Sequence, residues 1–310
     1  MKSTSHRFQH ILPHTLGRLL ARAIMRALDH DCVNIAQSAA YSAMVALFPA
    51  LIVAAAIVTL LPDSAPLRFQ LAAFFDRILP PDVSPILQSY FDTSPHNSHS
   101  VRALTLAAIV SLIGASGVIA TLMEGIRRAY QLPEDCWTFW QRRIRALILV
   151  PLSLVPFAIA SLLVVFGHLM TIWLGTHALD SMRIAILALI VFLRWSIALI
   201  VSVGLIALLF HAGTPKRQSW PSVLPGAIVA TVLWFLTTLA FGWYVTRFAN
   251  YSQVYGSLGA GIALLFWLYI ICLSVLCGVE FNVQFQAQFH ATFSEPNAND
   301  PPRDAVGELE

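Results

Sequence analysis

Seven polar side chains stand in or beside the long apolar stretches of this 310-residue chain: Gln37, Tyr41, Glu124, Arg194, His211, Glu280 and Asn282. Gln37 and Tyr41 are one helical turn apart. Glu124, His211 and Glu280 each close a separate apolar run, and Asn282 follows at once. If the runs are membrane spans, five polar groups from four helices gather at one level. Two chemistries suit such a ring. One is capping and salt bridging at the membrane edge, Glu124 with Arg127 or Arg128 being the obvious pair. The other is the cytoplasmic vestibule of a substrate path, because intramembrane ionisable groups often mark pathways.

Arg194 is a different case. It lies eleven residues past Arg183, hence ~16 Å into its span and near mid-bilayer. A central arginine costs between ~2.5 and ~17 kcal/mol, so it must face protein, water or an anion. His168, a lone histidine in another run, reads as a helix-to-helix hydrogen bonder.

Catalysis finds little support. Metal-dependent hydrolysis needs clustered carboxylate or histidine ligands, and the ten histidines are scattered. There is no zinc-protease motif, nucleophile elbow or phosphate-cradling glycine loop. No catalytic residue, metal or cofactor is therefore expected. The four cysteines (Cys32, Cys136, Cys272, Cys277) lack metal-ligand spacing and read as reduced thiols. A net charge of +3 is too small to suggest nucleic acid as a partner.

The elements that must position these residues are helices in a bilayer. Hydrophobic residues make up 57% and charged residues 11%, against soluble averages of ~45–50% and ~25%. The fold expected is all-α: a bundle of six transmembrane helices with an extracytoplasmic amphipathic helix. Spans fall at about 35–61, 103–123, 146–174, 184–210, 223–245 and 258–280. Pro49, Pro151 and Pro156 should kink the first and third. A membrane domain over 35–288 is thus flanked by a basic amphipathic segment, 1–34, and by a polar tail, 289–310, whose composition suits disorder. In the first segment Leu16, Leu19, Leu20, Ala23 and Ala27 recur at helical spacing, as in a helix lying on the bilayer. Leu67, Leu71, Phe74, Phe75 and Ile78 do the same between the first two spans, in a helix either lying in the interface or packed over the bundle mouth. No cleavable signal peptide is apparent.

The last span, from Leu258 to Val279, runs 22 residues without a formal charge. Gly256, Gly259 and Gly261 at its start, with Ser257 and Gly261 as a small-xxx-small pair, should let another backbone approach. Thirteen basic residues lie on the side of the termini and five on the other, which places both termini in the cytoplasm. Arg127, Arg128, Arg142, Arg143 and Arg145, around Trp137, Phe139 and Trp140, form a basic elbow there that would read anionic lipid headgroups.

Four stretches carry a resemblance: AQSAAYSAMVALFPALIV (Ala36–Val53), Glu124-Gly125-Ile126, HAGTP (His211–Pro215) and YGSLGAG…FWLYI…CGVEFN (Tyr255–Asn282). They resemble the YihY/BrkB family of bacterial inner-membrane proteins over nearly all of residues 15–288. The resemblance implies six helices in the inner membrane and brings two older labels, ribonuclease BN and a virulence factor tied to serum resistance. GVE stands where GAE is usual, and Glu124 where the family often has Asn. Three functions then compete: transport of a lipid or other amphiphilic anion (or envelope maintenance), a membrane scaffold without any path, and the ribonuclease of the old label. A polar groove from Glu280 past Arg194 would favour transport, and a sealed bundle the scaffold.

Overall fold

A computed structural model describes residues 5–59, 98–156, 180–215, 218–248 and 251–293. Among them every regular element is helical. They are α1 (Ser5–Asp29), α2 (Cys32–Thr59), α3 (Ser98–Ala129), α4 (described over 139–156), α5 (Asp180–Ala212), α6 (Trp220–Phe248) and α7 (Tyr251–Phe293), with a 3-10 turn at Glu134–Cys136. Five stretches are long and apolar enough to cross a membrane: Cys32–Ala54, Leu104–Ala129, Ala188–Ala212, Trp220–Val245 and Gly261–Gln288. The chain is a polytopic helical membrane protein. Of the third expected span, α4 covers the first part. The rest, with His168, lies outside the described residues, as do the amphipathic helix between the first two spans and residues 294–310. Five residues expected in the polar tail continue α7 instead, up to Phe293.

The helices run unbroken through Pro49 and Pro151. Each proline removes a single backbone donor, and the flanking bonds and neighbouring helices hold the rest.

Large apolar side chains face outward along most of the bundle, among them Val110, Phe192, Ile200 and Phe235. That is how helices meet lipid, since burial against hydrocarbon costs an apolar side chain nothing. The tight core is confined to one end. Ile126, Ala129, Phe210, Val223, Ala227 and Val279 bring α3, α5, α6 and α7 together there. Cys32, Ile35, Ala36, Leu122, Cys272 and Leu276 join α2, α3 and α7. The stretch of α7 from Leu276 to Asn282 is the hub, and Leu276, Val279, Glu280, Phe281 and Asn282 are almost wholly buried.

Two details differ from the expectation. The apolar stripe of α1 packs on protein, because Leu19 and Ala23 bury against Phe281 of α7. Ile24, Met25 and Leu28, on the adjoining face, stay exposed. A close backbone approach also occurs away from the glycines that open the span. A Cβ at Gly261 would meet only Met44 Cε, at 3.9 Å, whereas one at Gly226 would lie 2.6 Å from the Gly278 carbonyl oxygen. Glycine at both positions lets α6 and α7 touch backbone to backbone, at a place the sequence pattern did not mark.

Candidate functional site

Glu124 sits one turn before the end of α3 and organises the basic elbow. Arg127 donates to both of its oxygens, Nη2 at 2.7 Å to Oε1 and Nε at 3.1 Å to Oε2. Arg128 Nε adds a bond of 3.2 Å, and Arg142 Nη1, from the start of α4, one of 2.9 Å. One carboxylate thus accepts four charge-assisted bonds from three arginines and ties the elbow to α3. Arg127 also reaches the Leu132 carbonyl at 2.8 Å, and Arg145 lies over the Trp137 ring at 4.7 Å. Arg128 turns its Nη1 to Asp31 Oδ2 at 3.3 Å, linking the elbow to the α1–α2 junction.

Between α2, α3 and α4 these residues border a groove of about 500 Å³. Its polar lining is Asn34, Ser38, Ser42, Thr121, Arg128, Arg142 and Arg143, with Asp31 and Glu124 as its two acids and Phe139 at the rim. Arg143 donates to the Ile113 carbonyl at 3.0 Å, three turns down α3 from Glu124. The groove therefore has three cations against two carboxylates already engaged by arginines, and hydroxyl and amide groups along α2.

A second polar cluster is sealed within the helix hub. Glu280 is fully buried; its Oε1 lies 2.6 Å from His30 Nδ1, and Cys32 Sγ is 4.0 Å from the same oxygen. Its Oε2 has no hydrogen-bond partner among the described residues. Asn282, also fully buried, accepts the Gly226 N–H at 3.0 Å and donates to the Tyr130 hydroxyl at 2.8 Å. Tyr130 donates to Gln218 at 3.1 Å, while Gln286 donates to Gln218 and, at 2.9 Å, to the Ser222 carbonyl. Side chains of α7 thus engage both Gly226 N–H and Ser222 C=O, groups one turn apart in α6, and so lock the glycine contact. Burial pushes the Tyr130 hydroxyl above the usual tyrosine range.

The seven polar side chains picked from the sequence therefore separate. Glu124 borders the groove, and Glu280 and Asn282 form the sealed cluster. Gln37 and Tyr41 are exposed on α2, one helix face away from Asn34, Ser38 and Ser42, which do line the groove. His211 stacks on Trp220 at 4.7 Å. Arg194 is half-buried on α5, 17 residues and hence ~26 Å from His211. Neither Glu280 nor Arg194 lines the groove. His30, Tyr130, Gln218 and Gln286 were not visible as site residues. They lie in polar turns or helix ends, and only the packing of α1 and α7 shows their partners.

Fold and site define a multi-pass helical membrane protein with a cationic groove at the end of the bundle that holds its polar core. The family model for Virulence factor BrkB matches residues 23–303, and the chain belongs to that family. It is 27% identical over 255 residues to the ribonuclease-like protein YfkH of Bacillus subtilis, covering 82% of this chain and 90% of that one. It is 26% identical to the UPF0761 membrane protein RSc1559 of Ralstonia nicotianae, over 79% of this chain but only 53% of the relative's length. A UPF0761 membrane protein of Tolumonas auensis is 26% identical over 78% of this chain and 76% of its own. No solved structure matches.

Proposed function

We propose that this chain binds an amphiphilic anion, of the kind a phospholipid headgroup presents, in the groove between α2, α3 and α4. The groove runs past neither Glu280 nor Arg194, so its lining supports binding at the membrane surface rather than a path through the bundle. The observation that supports this reading is the groove's lining: Arg128, Arg142 and Arg143 together with the hydroxyls of Ser38, Ser42 and Thr121. Guanidinium groups present several donors in a fixed fork suited to phosphate. Glu124 occupies part of that capacity and holds the fork in place.

The reading includes the bacterial inner membrane, with both termini and the groove on the cytoplasmic side, from the distribution of basic residues. Reporter fusions after Gln288 should then be active only in the cytoplasm, and fusions near Ser94 only outside it. A tail reporter working outside would overturn this orientation.

The test of the groove is native mass spectrometry from nanodiscs that contain zwitterionic and anionic phospholipids. The native chain should retain anionic lipid, and Arg143→Gln should lose most of it. Equal retention by both would leave a scaffold as the better reading. The name of YfkH offers a third, ribonuclease, reading. We propose that no phosphodiester chemistry occurs here, and cleavage of RNA by the purified chain, lost in an Arg142→Gln, Arg143→Gln double variant, would reverse that.

A further inference from the structure

The contact between His30 and Glu280 joins residues 250 positions apart where α1, α2 and α7 meet. Its 2.6 Å length requires a shared proton, donated by the imidazole or the carboxyl group. With a neutral imidazole and a carboxylate the pair carries one negative charge. One further proton, on the other ring nitrogen, makes it an ion pair of zero net charge. The two states differ sharply inside a protein, where an uncompensated buried charge is costly. Glu280 is wholly enclosed, and among the described residues its second oxygen has no partner to spread that charge. The His30 side chain is 18% exposed, so water can deliver the proton.

The other charged and titratable groups around the pair are few. Arg26 and Asp29 face Glu280 from α1, Cys32 from α2 and Cys277 from α7 itself. Tyr130 approaches from beyond α3, and Arg128 reaches the neighbourhood of Cys32. Imidazole is the side chain among these that changes charge between about pH 5 and 8.

The pair also has a mechanical connection to the groove. The next residue, Asp31, turns the chain from α1 into α2 with φ 63°, a left-handed conformation that a non-glycine residue adopts only when its surroundings hold it. They do so here: Asp31 Oδ1 accepts from Asn34 at 2.6 Å and Oδ2 from Arg128 at 3.3 Å. Asp31, Asn34 and Arg128 all line the groove. Release of α1 from Glu280 would act on this junction first.

We propose that His30 and Glu280 form a proton-binding site that latches α1 to the bundle and, through Asp31, sets the mouth of the groove. Protonation completes the ion pair and closes the latch; loss of the proton loosens α1 and frees Asp31 from Arg128. The coupling to the groove rests on reading the groove as the anion's site, while the latch itself does not.

Hydrogen–deuterium exchange of the full chain in nanodiscs tests the latch, with rates corrected for the intrinsic effect of pH. Residues 17–34 should exchange at least about fivefold faster at about pH 8 than at about pH 6 in the native chain. His30→Gln keeps a donor but cannot take up the proton, so its ratio should fall to about one. Glu280→Gln removes the carboxylate and should flatten the ratio too, giving a second reading if the first variant folds poorly. A native ratio near one, or a pH response undiminished in His30→Gln, would overturn the latch. Anionic-lipid retention at both pH values separates the two claims. A pH-dependent α1 without any retained lipid would keep the latch and reject the groove reading. Lipid retained equally at both pH values while α1 responds would reject the coupling.

Discussion

The amide of Asn282 joins the Tyr130 hydroxyl, 2.8 Å away, to the Gly226 N–H, 3.0 Å away, and does so from a fully buried position. One side chain thus satisfies groups from α6 and from the turn after α3. Asn282→Leu would take this partner from the Gly226 N–H, at ~1–3 kcal/mol for a buried group, while the Tyr130 hydroxyl would keep its bond to Gln218. Thermal unfolding in detergent should show a drop of about 1–3 kcal/mol, and Tyr130→Phe a smaller one of about 1 kcal/mol.

Tyr130 also predicts a dependence on pH. Burial raises its folded-state value above the unfolded one, so the folded chain holds the phenolic proton more tightly. That stability is present in full below the ordinary tyrosine value of ~10 and is lost as pH rises above it. Unfolding scans at alkaline pH should fall more steeply for the native chain than for Tyr130→Phe. Parallel curves would remove Tyr130 from the stabilising network.

Glu124→Gln leaves Arg127, Arg128 and Arg142 near one another without their shared anion. The carboxylate's side chain is 22% exposed, so the loss should be moderate, about 1–3 kcal/mol in thermal unfolding. Freed guanidinium donors should at the same time raise retention of anionic lipid. Lower retention would mean that Glu124 is needed to shape the groove rather than to occupy it.

Gly278→Ala would place a methyl group 2.8 Å from the Gly226 carbonyl oxygen, where only a shift of the whole helix can relieve it. Overpacking of this kind costs ~1–3 kcal/mol. Gly261→Ala meets nothing closer than 3.9 Å and should stay within about 0.5 kcal/mol of the native chain. Equal effects of the two substitutions would argue against the backbone contact.

Arg194 makes no hydrogen bond or ion pair among the described residues, and its charge lies within a span. Arg194→Leu should therefore unfold at the same or a higher temperature. If an anion passes this depth, Arg194→Lys should impair its transfer nearly as much as Arg194→Gln, because Lys cannot copy the planar fork. Undiminished transfer by Arg194→Leu would take Arg194 out of the path.

Length and hydropathy alone determine that this chain is a bundle of membrane helices, because a bilayer demands ~20 apolar residues per crossing and a helix to satisfy each backbone group. The pairing of Glu124 with Arg127 and Arg128 was equally legible, since a helix brings residues three and four apart onto one face. The partners of Glu280 were not. Helical periodicity fixes neighbours within a turn, whereas His30 is 250 residues away and meets Glu280 only because α1 folds back onto α7. Nor could the sequence single out Gly278 as the glycine of α7 that meets α6. Every glycine permits close approach, and which one is used depends on where α6 crosses. The level shared by Gln37, Tyr41, Glu124 and Glu280 was a matter of depth along each helix. Rotation about the helix axis, set by packing against neighbours, turned Gln37 and Tyr41 outward, opened Glu124 to the groove and closed Glu280 inside the protein.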